Sequence, residues 1–542
     1  MRTHTRRGRH RIKLYESKQT DTHDTHASND EVSSEIPLFD RLEWNLEFFR
    51  SVFDHSSDVI FHDFRILDGR DAVIIYIDVL SDTKLIDSDI LSPLTKAENP
   101  FKESVPTLSL EAIAKDYITI SSTQQVRTFS DAIRMIVKET NVLLLVDHEA
   151  GALALCAGGG EDRGIQEPNT EAVIRGPREG FNESVRTSLS LLRRRLRTEH
   201  FKIENLEVGK YTKTKVKICY IEGIVEPGVV EEVRTRLNRI EIDGIIDSGY
   251  IEELIEDNAY SPFPQVQNTE RPDVVTAALL EGKVSIMTDG SPFALIVPCN
   301  LWGAIQASED YYERYMIANA IRFLRYGFLF INLYLPSLYV AITTFHQELL
   351  PEKALLSIAA AREVTPFPAV VEAFIMEITF EALREAGVRL PKTVGSTISI
   401  VGALVIGQAA VQAGIVSAPM VIVVSITGIG SFVIPRYNFA ITLRLLRFPM
   451  ILLAAFLGIF GVVVGTLAIV IHLSGLRSFG VPYLSPVSPF TKGGMKDVMI
   501  RVPQWAMQLR PRQTSKLNLR RQTDATRPRN RMPGLPKRKP QS

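Results

Sequence analysis

Residues 448–473 read FPMILLAAFLGIFGVVVGTLAIVIHL, with no charged side chain before His472. A bilayer-spanning helix needs about 20 apolar residues at 1.5 Å rise each, and this run exceeds that. Gly458, Gly461 and Gly465 would let a second helix approach closely. Three more runs of spanning length precede it, at Phe323–Phe345, Thr393–Ile415 and Val416–Ile434. Several such runs in series predict a helical membrane domain over 321–475 rather than the core of a soluble enzyme.

The chain of 542 residues joins a polar first part to this apolar last third. Lys plus Arg (62) equal Asp plus Glu (62), so net charge names no partner and suggests no nucleic acid, although both ends are basic. Cys156, Cys219 and Cys299 lack metal-ligand spacing and fit reduced thiols in a cytoplasmic region. The basic N-terminus has no apolar segment behind it, so it is not read as a secretory signal.

Residues 1–40 read as a disordered arm, and the irregular spacing of His4, His10, His23, His26 and His55 does not suggest a metal site. An α/β subdomain is expected over 41–171. DVIFHDFRI and AVIIYIDVL are its strands, FSDAIRMIVKE a helix opened by Ser130 or Asp131, and NVLLLVD with GALALCA a strand pair. AGGG at 157–160 fits no phosphate-loop pattern and is read as a turn.

A second α/β subdomain, 172–320, begins at GPREGF. Phe181, Val185, Leu189, Leu192 and Leu196 then follow at helical spacing, with Arg186, Arg193, Arg194, Arg195 and Arg197 on the other face. With Arg178, the cluster Arg193, Arg194 and Arg195 is a candidate contact for a neighbouring subunit or lipid headgroups; a solvated face is the alternative. Strands FKIENLEV and KVKICYIEGI, helix VVEEVRTRLNRI and a hairpin around Asp289-Gly290 complete it. No internal repeat, H-E-x-x-H, G-x-S-x-G or cysteine–histidine constellation is evident, so neither an enzyme nor a transporter with matched halves is favoured, and no cofactor or metal is expected.

The string from Asp243 to Pro298, GPREGF before it, and EDYYERY (309–315), LPSLYVAITTFHQELLP (335–351), AAREVTPFPAVVEAFIMEITFEALREAGVRLPK (360–392), GALVIGQAAVQAGIVS (402–417) and LRSFGVPYLSP (476–486) after it closely resemble the A subunit of GerA-type spore germinant receptors. The resemblance covers about 42–511. It implies a subunit in the spore inner membrane that acts with a transporter-like B subunit and a lipoprotein C subunit. Small nutrients then trigger ion release, with the nutrient site attributed to B and an ion-conducting homo-oligomer to A.

The segment 365–390 is too charged for a lipid-facing span and too apolar for a loop. Val371, Phe374, Ile375, Ile378 and Ala382 gather on one side; Glu377, Glu381, Arg384 and Glu385 overlap its edge and Glu372 stands apart. Carboxylates at membrane depth face a protein interior or a water-filled cavity, and a closed oligomer would turn them into rings. Val370 and Val371 are therefore candidates for a constriction, and Glu377 and Glu381 for a cation-selective ring; an interfacial amphipathic helix is the alternative. If the segment does not span, four spans return the basic tail 476–542 to the cytoplasm, disordered after about 512, and put Arg436, Arg444 and Arg447 outside. If it spans, those arginines lie inside and the tail outside. The larger positive charge of the tail favours the first.

Overall fold

The computed structural model describes residues 36–95, 108–159, 167–389 except 169, and 405–528 except 406, 524–525 and 527. The arm, most of the run Thr393–Ile415 and the last basic residues lie outside them.

Helix α1 (Leu42–Val52) buries Leu42, Asn45, Phe48 and Phe49, at i, i+3, i+6 and i+7, one face of a core-facing helix. Strands β1 (Val59–Arg65), β2 (Asp71–Ile77), β3 (Thr123–Val126), β4 (Val142–Val146) and β5 (Ala152–Leu155) form an antiparallel sheet in the order β1-β2-β4-β5-β3. Helix α2 (Phe129–Val137) joins β3 to β4. Its cap is Thr128 rather than Ser130 or Asp131. The Thr128 hydroxyl accepts from the Asp131 amide at 3.2 Å, as an N-cap does, and donates to the Asp131 carboxylate at 2.8 Å.

The second unit repeats this plan. Helix α3 (Val185–Arg195) precedes β6 (Phe201–Val208) and β7 (Thr214–Ile221); α4 (Pro227–Asn238) and α5 (Ser248–Ile255) follow, then β8 (Gln267–Thr269), α6 (Pro272–Leu280), β9 (Val284–Thr288) and β10 (Ala294–Val297). The sheet order is β6-β7-β9-β10-β8, again antiparallel and again first-second-fourth-fifth-third. The repeat is one of topology, carried by apolar pattern rather than by matching residues. The two sheets are not separate domains in their packing: a continuous core holds Phe49 and Phe129, Val73 and Leu143 of the first sheet, Leu189 and Leu192 of α3, and Phe201, Cys219 and Ile296 of the second. Three or four helices are thus shared filling between two sheets.

Beyond the sheets, α7 (Tyr315–Phe345), α8 (Glu352–Glu363), α9 (Ala369–Arg389), α10 (Ala418–Phe432) and α11 (Tyr437–Gly475) form a bundle. Among the described residues two helices, α7 and α11, are long and apolar enough to cross a membrane. The run read as one span at 448–473 is bent back on itself. Gly458 inside α11 has φ 61° and ψ −143°, a conformation open to glycine alone. A Cβ on Gly465 would collide with Met450, although in a straight helix the two would stand about 22 Å apart. α11 is therefore two antiparallel arms. The Thr442 hydroxyl on the first arm donates to the Pro262 carbonyl, His472 at the end of the second lies 2.8 Å from Ser261 Oγ, and the Gly458 tip meets Phe345 and His346 at the far end of α7.

This reversal brings both ends of α11 to the same side of the bundle. Arg436, paired with Glu171, and the tail, whose Tyr483 hydroxyl donates to the Pro264 carbonyl at 2.9 Å, both lie on the side of the sheets. The described part of the tail beyond 512 packs against the second sheet unit. Thr514 Oγ1 (2.6 Å) and Ser515 Oγ (2.7 Å) donate to the Glu281 carbonyl and Arg510 Nε to that of Leu280 (2.9 Å). They satisfy carbonyls that the end of α6 leaves without intrahelical donors.

Candidate functional site: a charged seam inside the helical bundle

Helix α9 buries two carboxylates among small and apolar residues. Ala369, Glu372, Ala373, Met376 and Glu377 are buried, while Val371, Ile378, Ala382 and Glu385 are exposed, at spacings of seven, four and three residues along one face. It lies within the bundle, with Glu372 level with the far half of α7 and Arg384 near the sheets. It is neither a loop nor a helix lying flat on the outside.

One level of the bundle gathers a residue from each of four helices. Arg447 on α11 donates Nη1 to Glu377 of α9 at 2.5 Å, Nη2 to the Asn332 side chain of α7 at 2.6 Å and Nε to the Asn332 carbonyl at 2.9 Å, with Thr427 of α10 at 3.4 Å. One turn nearer the sheets, Arg444 pairs with Glu381 and Arg384 donates to Ser431 Oγ at 2.6 Å. At the far level the fully buried Glu372 accepts from the Ser417 amide at 2.8 Å and faces Arg362 at 3.5 Å. Such pairs contribute little net energy against desolvation, but losing one partner leaves a buried charge and costs about 3–5 kcal/mol. They therefore fix the register of α9 against its neighbours. Among the described residues no group of three His, Cys, Asp or Glu side chains could hold a metal.

The four residues read as a pore lining separate. Glu377 is turned into the bundle on Arg447, because burial at this depth demands a cation, and Val370 is half-buried beside Val340 and Met376. Val371 and Glu381 reach the exposed side, Glu381 half-exposed despite Arg444. Sequence reasoning used Arg444 and Arg447 only as topological charges. Their i, i+3 spacing ahead of an apolar run, opposite Glu377 and Glu381 at i, i+4, was the available signal.

The arginine face of α3 is corrected more sharply. Arg193 is buried, 2% exposed, and grips Asp58 through Nε (2.7 Å) and Nη2 (2.8 Å), with its guanidinium over Phe201. It bolts the first sheet to the second and offers nothing to a partner. Arg195 bonds Glu179 at 2.5 Å, Arg194 is half-buried, and the exposed Arg178 stands 3.4 Å from Glu167. The cysteines are free; burial pushes the Cys219 thiol up to about 12 and Cys299 to about 11, while Cys156 is exposed.

Residues 47–513 match the family described as Bacillus/Clostridium GerA spore germination protein. The chain belongs to the GerA family. It is 44% identical over 87% of its length to spore germination protein KA of Bacillus subtilis (strain 168), covering 86% of that protein. It is 47% identical over 89% of its length to the membrane protein YfkQ of the same strain, covering 93% of it. A crystal structure of the N-terminal domain of the A subunit of the Bacillus megaterium spore germinant receptor GerK3 is 33% identical, covering 48% of this chain and 96% of that one, with a TM-score of 0.38. The GerA resemblance read from the motifs is thus established as family membership.

Proposed function

We propose that this GerA-family chain is the A subunit of a nutrient germinant receptor in the spore inner membrane. There it acts with a transporter-like B subunit and a lipoprotein C subunit and helps convert nutrient sensing into ion release. The sheets and the basic tail lie in the cytoplasm, the bundle crosses the membrane several times, and copies of the chain assemble around α9. It is a conducting subunit rather than an enzyme.

The observation that carries this reading is the outward face of α9. Inward, Glu372 and Glu377 face Arg362 and Arg447; outward, Val371, Ile378 and Ala382 are exposed beside the half-exposed Glu381. In a closed ring of copies that face would supply an apolar constriction and a carboxylate ring. Nutrient held by a partner opens such a pore only by binding more tightly to the open complex. The test is ion release from spores carrying Val371→Ala or Glu381→Gln, with Val370→Ala as the inward-facing control. Leakage without nutrient from the Val371 variant and altered cation preference from the Glu381 variant are expected. Wild-type release and preference in both would overturn the conducting role.

A further inference from the structure

Between the sheets and the near ends of α10 and α11 lies a cavity of about 380 Å³, lined by five arginines together with Glu171 and Glu309. Four of the arginines have a carboxylate of their own. Arg271 pairs with Asp273 (2.7 Å), Arg325 with Asp310 (2.9 Å), Arg436 with Glu171 and Arg444 with Glu381. Arg384 does not. It stands 3.9 Å from Glu381, which Arg444 already engages, and is held instead by Ser431 Oγ and by the ring of Phe432, 5.0 Å from its guanidinium. In the same wall the Nε atoms of Arg325, on a side chain 6% exposed, and of Arg436 are buried without an acceptor among the described residues.

We infer that this cavity binds a phosphate-type oxyanion, with Arg384 as its principal cation and the idle Arg325 and Arg436 donors completing the cradle. Guanidinium forks match phosphate oxygens geometrically, and in a partly enclosed site they hold an anion more strongly than water does. The anion is assigned to a lipid headgroup. Phe432 (78% exposed) and Tyr437 (58% exposed) line the cavity, and such aromatics mark the level where headgroups sit beside an apolar bundle. That source rests on the membrane placement proposed above; the oxyanion site itself does not.

The test uses the full chain purified in detergent, with short-chain phosphatidylglycerol, short-chain phosphatidylcholine and inorganic phosphate as separate probes read by thermal shift. Phosphatidylglycerol should raise the melting midpoint by several degrees where phosphatidylcholine does not, and Arg384→Gln should weaken its binding about tenfold or more. A shift with inorganic phosphate alone, lost in Arg384→Gln, keeps the oxyanion site and overturns the lipid source without touching the conducting role. Should Arg384→Gln fail to fold, Ser431→Ala, which removes the hydroxyl that positions the guanidinium, is expected to weaken phosphatidylglycerol binding in the same direction. No shift with either anion, or equal shifts in wild type and variants, overturns the site.

Discussion

At the scale of single residues, the molecule depends on charges placed where water cannot reach them. Arg193→Ala would strand Asp58, 2% exposed at its side chain, in the seam between the sheets and is expected to destabilise the protein by about 3–5 kcal/mol. Arg194→Ala, about 100° around α3 from Arg193 and half-buried, should change stability by about 1 kcal/mol or less. Thermal unfolding of the two purified variants separates these outcomes; equal midpoints would mean that the Asp58 pair carries no structural load. Glu252 on α5 supplies a pH dependence. Burial, and then the neighbouring Glu256 carboxylate, pushes its carboxyl from 4.5 up to about 7. An acid raised on folding keeps its proton in the native state after the unfolded chain has lost it, so its stabilisation is full below about 4.5 and fades as pH rises to about 7. The loss amounts to roughly 3 kcal/mol, and Glu252→Gln should flatten the slope between about pH 4.5 and 7. Unfolding midpoints of wild type and variant that fall in parallel over that range would assign the slope to other groups.

At the scale of elements, the strands, the hairpin β9–β10 and most helix positions were legible because period-two and helical patterns survive in each of them. What was not legible is equally physical. An apolar run keeps the same composition whether it continues or reverses, so the arms of α11 read as one span. The single residue that turns them, Gly458, looked like one of three small residues of a packing stripe. Arg193 and Asp58 lie 135 positions apart, and a run of arginines carries no record of which member is paired across a core. Gly458→Ala should therefore act far beyond its size. It forces a side chain into φ 61° and against His346, costing about 1–3 kcal/mol and loosening the tip. Gly475→Ala, with open space around it, should be nearly silent. Limited proteolysis near the tip in detergent, unchanged by Gly458→Ala, would contradict a glycine-dependent turn.

At the scale of the whole molecule, the sequence suggested two soluble subdomains in line before a membrane block. The chain instead repeats one strand order and lets both sheets share a single filling of α1, α2, α3 and α6. The tail then comes back to the same side, covering the end of α6 and the root of α7. There Arg322 donates to the Asp497 carboxylate at 3.0 Å and Tyr326 to the Val498 carbonyl at 2.8 Å. The candidate site was visible as a charged segment, yet its inward and outward residues could not be sorted, because the arginines that decide the matter belong to another helix.

The shared filling has a consequence for how the chain is made. When the ribosome has delivered β1 to β5, the face bearing Val73, Ile75, Leu143 and Leu145 has only part of its cover, since α3, α6 and the second sheet are still unsynthesised. At ~5–20 residues per second that interval lasts on the order of ten to thirty seconds. A nascent chain with an open apolar sheet for so long is a substrate for holding chaperones and a hazard for its neighbours on the same messenger. The first half of the sheet region therefore depends on the second for its cover, and a gene fragment ending between them is expected to leave that apolar face open.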